Sequence, residues 1–595
     1  MAQHGAVLKR HTPRRAGAAP ILHAALAVLL LASCAFAIEI RQTVWGFDGQ
    51  FVPERFNILS IYVDNPSLSP FDGHLVLARY DTVGRRAGEE FVESCFLSPG
   101  AGRWIQFCIY MPADADTWRL SWPPGKSTTL PSPRRGPLAR VMLMDSDLIT
   151  ESGGGLRRCP DQIFPVSVTA TQTLDSVVLG HVPKWETARR QAFMDWLASG
   201  GTVHLLLDSG GAPPVFAGEL TPLNKPEATF RVGAGLVVRH PVPRRSCDLA
   251  YMASRGFPAQ TEYKPVETEF RKTEDFIFSR LNQLTRARHN WPLIYSVIVL
   301  YVIVVAPVNY VVARYRNWQT AIVFFLGTVV LFTALVAVIG RRGMGEASAV
   351  NTVAYARPLG AGQWDVTQWT NAFVVASKEY TIAHRTGNDL YSTCQDFEAV
   401  QGYAHNGADG RLVVEVPLFS SRAFQHRARM KAPNLPIELT GLRIETMPQR
   451  EDALESISFS GTLPADLKAA WVCHRGRVHK LTWEGSGLRL VQGTGVKLEE
   501  FVESPGTHYQ PWGEAEDVKA DKVFADLPPR LVRRAVGGVE AMRTAYGHPN
   551  PKAAVHLFLY ARAPATFNLP SGPFGGETGY VLYHLVFFKT GGQDG

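Results

Sequence analysis

The chain has 595 residues, too many for one hydrophobic core, so several domains are expected. Hydrophobic content of 46% with 19% charged residues excludes a disordered chain, and 40 prolines with 52 glycines favour turn-rich β structure. The formal charge of +8 falls by four, to +4, once Lys9, Arg10, Arg14 and Arg15 are set aside with the leader, too weak and dispersed a balance for nucleic-acid binding.

Residues 1–37 have the three parts of a secretory signal: the basic KRHTPRR, the apolar ILHAALAVLLLAS, and Ala35-Phe36-Ala37 as an A-x-A cleavage site. Leu31-Ala32-Ser33-Cys34 also fits a bacterial lipobox, with the lipid on Cys34. Cleavage after Ala37, lipidation at Cys34 and an uncleaved anchor are the three open fates, and each sends the next domain out of the cytoplasm. Six further cysteines remain: Cys95, Cys108, Cys159, Cys247, Cys394 and Cys473. An oxidising compartment permits a bridge between Cys95 and Cys108 on neighbouring strands, with buried free thiols as the equal alternative. The chain has no C-x-x-C pair, so no zinc knuckle is expected.

Residues 38–135 carry strand runs, FNILSIYVDNPS, DGHLVLARYD, RWIQFCIYMP and TWRLSW, cut by Pro, Gly, Asp and Ser turns. Their spacing predicts an N-terminal β-sandwich of immunoglobulin-like type. GKST at Gly125 to Thr128 is not read as a phosphate loop, because that motif needs a glycine where Leu120 stands.

From Gly136 the pattern changes. LARVMLMD, FPVSVTA, LDSVVLG and TVHLLLDSGG read as buried parallel-type strands, and WETARRQAFMDWLASGG as an amphipathic helix closed by Gly-Gly. An α/β domain over 136–250 follows. The order of strand, VVLG, helix ending in WLASGG and strand, with RVGAGLVVRH closing the unit, resembles the class I glutamine-amidotransferase-like fold. That resemblance implies a cysteine nucleophile on a strand-to-helix elbow, a histidine base and an orienting carboxylate. Here the elbow reads Gly180-His181-Val182-Pro183, and Cys159 precedes the second strand, so no catalytic residue is assigned. Asp145 and Asp147 in LMDSD stand at a strand end where α/β folds hold metals or substrates, and His181 stands at another. These three make a minimal candidate ligand site; the plainer reading makes them a solvated loop, a helix cap and a surface histidine.

Residues 251–290 read as a juxtamembrane linker. Two uncharged apolar runs follow, 291–313 and 320–340, each about 30 Å long as helix and thus long enough for a bilayer core. Pro307 frees a carbonyl one turn earlier, and Asn309 is placed to bond that carbonyl or the partner helix. Tyr310 stands near the turn 314–319, which carries Arg314 and Arg316. Neither span holds an ionisable acid or base, so the pair is expected to anchor rather than conduct. With an exported N-terminal domain the turn faces the cytoplasm. Arg286, Arg288, Arg341 and Arg342 favour the reverse by charge counting alone, and the leader is given precedence.

Residues 341–595 return to strands: NTVAYARPL, NAFVVASKEYTIAH, RLVVEVPLF, SISFSGTL, AAWVCHRGRVHKLTWEG, VHLFLYARAP and a final GYVLYHLVFFK. One helix is predicted in LPPRLVRRAVGGVEAMRTAYG. The charged break at Arg450-Glu451-Asp452 is expected to divide two sandwiches. The predicted fold class is thus multidomain α/β plus all-β: an N-terminal β-sandwich, an amidotransferase-like α/β domain, two transmembrane helices and a C-terminal sandwich-like region.

This arrangement, with A-P-x-N-Y-x-x-x-R from Ala306 to Arg314 and LVVEVPLFSSRAFQHRA from Leu412, resembles a family of uncharacterised bacterial envelope proteins. The resemblance implies a cytoplasmic-membrane protein with both large domains outside, working in envelope assembly or maturation beside MoxR-type ATPases and von Willebrand A-like proteins. It brings no catalytic residues. The expected function is a non-catalytic scaffold or binding module for envelope proteins or cell-wall polymer, with the lipid bilayer as partner and no cofactor. The alternative is an envelope enzyme or ligand-binding protein using the α/β domain.

Overall fold

The computed structural model describes residues 38–111, 117–146, 156–254, 268–285, 291–343, 348–395, 398–445, 453–491, 495–503, 520–536, 554–570, 574 and 576–588. The leader with its cleavage site and Cys34, and also Asp147, lie outside the described residues.

A three-stranded antiparallel sheet, Glu39–Trp45, Arg55–Asp64 and Gly102–Met111, forms one layer of the N-terminal sandwich. Alternation along Arg55–Asp64 sends Leu59, Ile61 and Val63 into the sandwich core with Phe107, Ile109, Trp118 and Leu120. Ile58 points the other way, onto Phe164 of the α/β unit. Both faces of this layer are covered, which is why apolar residues occur in succession there.

The facing layer has seven strands in the order Lys378–Ile382, Arg411–Val416, Ala399–His405, Arg86–Leu97, Phe71–Tyr80, Thr117–Trp122 and Lys126–Thr129. Its first three strands come from beyond the apolar hairpin. Arg86–Leu97 pairs in parallel with Ala399–His405, and the Gly88 N–H donates to the Glu398 carbonyl at 2.8 Å. Arg86 Nη2 donates to the Val400 carbonyl at 2.7 Å, and Asn406 Nδ2 to the Cys108 carbonyl at 2.6 Å. Tyr380, Ile382, Val400, Leu412 and Val414 fill the same core as Leu75, Leu77 and Phe91. The sandwich begun by residues 38–135 is completed by residues 378–416. Cys95 and Cys108 fall in different layers, and all six described cysteines are free thiols, so the bridge between neighbouring strands is not formed.

The α/β unit has a six-stranded sheet in the order Arg157–Pro160, Ala139–Met144, Leu174–Leu179, Thr202–Leu207, Gly235–Pro243 and Thr229–Val232. The first five strands are parallel and the last is antiparallel. Burial on both faces accounts for the continuous runs VMLM and SVVL. The helix Thr187–Ala198 lays Phe193, Trp196 and Leu197 on one face, while Cys247 and Met252 cover Met142, Val178 and Leu206 on the other. FPVSVTA, expected as a strand, instead supplies part of a turn region with short 3-10 segments at Asp161–Ile163 and Val168–Thr171. Ser167 Oγ accepts from the Thr169 N–H and Thr171 Oγ1 donates to the Val168 carbonyl, local bonds that compete with a ladder. Phe164 and Val168 reach the core from those turns. The closing RVGAGLVVRH is a hairpin rather than one strand, turning at Gly233 with φ +60°.

Helices Trp291–Ile303 and Asn309–Tyr315 are joined by a wider π-helical turn, Val304–Val308, around Pro307, and Trp318–Gly343 returns. Pro292–Tyr315 and Trp318–Ile339 are long and apolar enough to cross a membrane. Their side chains are largely exposed and meet one another, as Tyr301 meets Phe332, without the burial of a soluble core helix. Arg314 sits in the last helical turn rather than in a loop, where its charge complements the helix dipole, so the connection shortens to Arg316 and Asn317.

The last sheet runs Leu390–Ser392, Ser420–Lys431, Gln363–Val374, Ala349–Gly360, Glu577–Phe588, Ala554–Arg562, Leu467–His474, Arg477–Glu484, Gly487–Leu490, Ala453–Gly461 and Ile437–Glu445, with Val496–Lys497 beside Arg477–Glu484. It curls over a core that joins Val366 and Ala428 to Ile457, Phe459, Leu481 and Leu557. Helices Thr268–Gln283, Ala520–Ala525 and Pro528–Val536 cover the opposite face through Ile277, Leu281, Phe524 and Leu531. Residues 268–283, expected as linker, therefore belong to the folded body. The charged break near residue 450 divides no sandwiches: the strands flanking it, Ile437–Glu445 and Ala453–Gly461, pair antiparallel within this one sheet. Glu577–Phe588 lies inside the sheet, parallel to Ala349–Gly360, as its apolar run requires.

Candidate functional site

Two regions among the described residues bear on function. The first is the carboxyl end of the parallel sheet. Asp145 follows Ala139–Met144 with its side chain 56% exposed, and Lys184 Nζ stands 3.4 Å from its Oδ2. His181 follows Leu174–Leu179 by way of Gly180, and its Nε2 lies 3.3 Å from Asp161 Oδ2. The Asp161 carbonyl accepts from Trp185 Nε1 at 2.8 Å, which fixes the turn beneath the imidazole. Asp145 and His181 thus take separate partners. His181 Nδ1 makes no hydrogen bond among the described residues, so no hydroxyl or thiol is poised against it.

Cys159 is in the edge strand Arg157–Pro160 and not in a loop. It is fully buried, its Sγ donates to the Phe47 carbonyl at 2.8 Å, and burial pushes the thiol up to about 12. A thiol held neutral among apolar side chains is an inert core residue. Among the described residues no three His, Cys, Asp or Glu side chains are grouped to hold a metal ion.

The second region is a cavity of about 170 Å³ between the α/β unit and the curled sheet. Arg55 enters it from Arg55–Asp64, Arg357 from Ala349–Gly360, Arg427 from Ser420–Lys431, and Arg534 from the helix Pro528–Val536. Asp365 Oδ2 accepts from Arg357 Nη2 at 2.6 Å and from Arg427 Nη2 at 2.7 Å. Glu274 Oε1 accepts from Arg534 Nη1 at 2.7 Å, and Glu274 Oε2 accepts from the Tyr110 hydroxyl. Tyr355 bonds His584 Nδ1 at 2.6 Å, and His584 Nε2 stands 2.9 Å from His556 Nδ1. Asp175, also on the wall, accepts from Arg140 at 3.0 Å. Burial first, then the neighbouring Arg534, Arg427 and Arg357 guanidinium groups, push Arg55 down to about 9.

None of these arginines stood out in the chain. Each lies in a strand or helix whose local pattern reads as ordinary exposed charge, and they are brought together by four separate elements. Arg427 falls within LVVEVPLFSSRAFQHRA, yet nothing in that stretch points to Arg55 more than 350 positions earlier.

In the hairpin, Tyr310 is exposed, and Asn309 Oδ1 is shielded with no hydrogen-bond partner among the described residues. The Arg316 N–H donates to the Val312 carbonyl at 2.9 Å and ends the first span.

No family model and no curated protein matches the chain. Among solved structures, a cycloisomaltooligosaccharide glucanotransferase from a Paenibacillus species, complexed with cycloisomaltoheptaose, aligns at 8% identity over 77% of this chain and 98% of that one, with a TM-score of 0.15. A β-glucuronidase of glycoside hydrolase family 2 aligns at 8% identity over 78% of each chain, with a TM-score of 0.12. Overlaps this slight carry no argument about fold or activity.

Proposed function

We propose that the chain is a membrane-anchored bacterial envelope protein whose folded body stands on the outer face of the cytoplasmic membrane and acts as a non-catalytic scaffold or binding module. The two apolar helices carry the anchoring, and one observation carries the placement of both halves on one side: strands before and after the hairpin share a sheet and a core, Arg86–Leu97 pairing with Ala399–His405. Chains on opposite sides of a bilayer cannot pair strands, so an even number of spans must separate them. The leader supports the outer face. The elbow Gly180-His181 without a nucleophile supports a binding role over catalysis. Envelope assembly and a link to a MoxR-type ATPase rest on the family resemblance, and the short turn at Arg316 is the place where an inside partner would connect.

Topology mapping tests this reading. Ser98→Cys and Glu499→Cys are expected to react with a membrane-impermeant maleimide in intact cells. Tyr315→Cys is expected to react only after permeabilisation. Labelling at 98 but not 499 would break the hairpin, and protection of both would move the body to the cytoplasm.

A further inference from the structure

Four guanidinium groups from four distant elements face one space, and no lysine lines it among the described residues. We propose that this cavity binds a small phosphate-bearing anion, with Arg55, Arg357, Arg427 and Arg534 as the guanidinium donors. The inference goes beyond the scaffold reading and stands whichever face of the membrane the body occupies.

Crowding cations in a partly dry space costs stability by desolvation and mutual repulsion. Arg55 holds its proton less tightly, first because it is buried and then because Arg534, Arg427 and Arg357 surround it, with Glu274 opposing them. A bound dianion would offset that repulsion from the centre of the cluster. Arginine is the suitable residue, because its planar fork meets two oxygens of one phosphate where lysine offers a point charge. Asp365 pre-orients two of the forks, holding Arg357 and Arg427 by one oxygen, and Thr367 Oγ1 accepts from Arg427 Nη1 at 3.2 Å.

The remaining wall suits an organic portion. Tyr355, Thr367 and His584 line it with hydroxyl and imidazole groups that already bond His584, Arg427 and His556 in turn, and Trp196 and Phe588 line it as well. The volume of about 170 Å³ is roughly ten times what a single water needs on the same measure, enough for a small ester as well as for the free ion.

Titration calorimetry on the full-length chain in detergent decides the matter, with inorganic phosphate, glucose 6-phosphate and glucose as probes. Saturable one-to-one binding of at least one phosphate probe, and none of glucose, is expected at pH 7.5. Tighter binding of glucose 6-phosphate identifies an ester site, and tighter binding of inorganic phosphate a free-ion site. Arg55→Met is expected to weaken binding at least about tenfold, the scale of one charge-assisted bond. Arg55→Lys, which keeps a cation but loses the planar fork, is also expected to weaken binding, and this variant decides should Arg55→Met fail to fold. Absence of binding by both anions, or undiminished binding in both Arg55→Met and Arg534→Met, overturns the proposal.

Discussion

Glu577 opens the strand Glu577–Phe588 with its carboxyl group partly buried, accepting from the Leu569 N–H at 2.8 Å and from Thr352 Oγ1 at 3.3 Å. Burial outweighs those bonds and pushes the group from 4.5 up to about 7. The folded chain therefore keeps this proton where the unfolded chain has released it, and stability contributed at low pH is lost as pH rises from about 4.5 through 7. Asp48, raised to about 6, and Glu93, raised to about 8, act in the same direction. His384 and His426 oppose them below pH 6.5, because burial lowers both. A single substitution separates the contributions. Glu577→Gln imitates the protonated acid, so it is expected to match the wild type at pH 4 and to exceed it by about 1–3 kcal/mol at pH 8. Denaturant midpoints at the two pH values check this; a variant weaker at pH 8 would mean that the charged form is the one the fold prefers.

The helix Thr268–Gln283 shows what an element gains from distant partners. Ile277, Leu281 and Leu284 recur at helical spacing and join Trp369 and Phe558 of the curled sheet and Leu531 of the helix Pro528–Val536 in one core. Arg280 stands 3.4 Å from Asp526, and Glu274 holds Arg534, so the helix is pinned at both its apolar and its polar sides. Leu281→Ala is expected to cost about 2–5 kcal/mol, read as a lower thermal midpoint of the detergent-solubilised chain. A shift of less than a degree would instead make this helix the loose linker that its neighbourhood suggested. Local patterning sufficed where an element is decided locally: ARVMLM, SVVL and TVHLLL are strands because both faces are buried, and the WLASGG end stops a helix because glycine follows. It failed where side chains choose a local partner, as Ser167 does, and where pairing is remote, as between Gly88 and Ala399. The candidate ligand residues separated for the same reason. Asp145 and His181 occupy strand ends as their spacing implied, but Lys184 and Asp161 claim them individually. The arginine cavity was illegible because its charge density exists only after four elements meet.

At the scale of the whole molecule, the hairpin leaves and re-enters one surface. Asn282 Oδ1 accepts from Ser421 Oγ at 3.0 Å and from Asn371 Nδ2 at 3.4 Å, and Thr285 closes the helix beside Asn371. On the return side, the Val375 N–H donates to Ser348 Oγ at 3.4 Å. Exit and re-entry therefore sit near the end of the same strand, Gln363–Val374, about four residues or roughly 13 Å apart. A ten-residue Gly/Ser linker has a root-mean-square span of about 17 Å, enough to replace residues 286–347 without strain. Such a chain, begun at Ile38, is expected to be soluble without detergent and to unfold in one cooperative transition, because residues 38–111 and 378–416 share a core. Two transitions would show that the halves fold separately and meet only when the membrane holds them together. One transition makes the hairpin an insertion into a body that is already whole, so the length and turn of the hairpin are not set by the packing of that body.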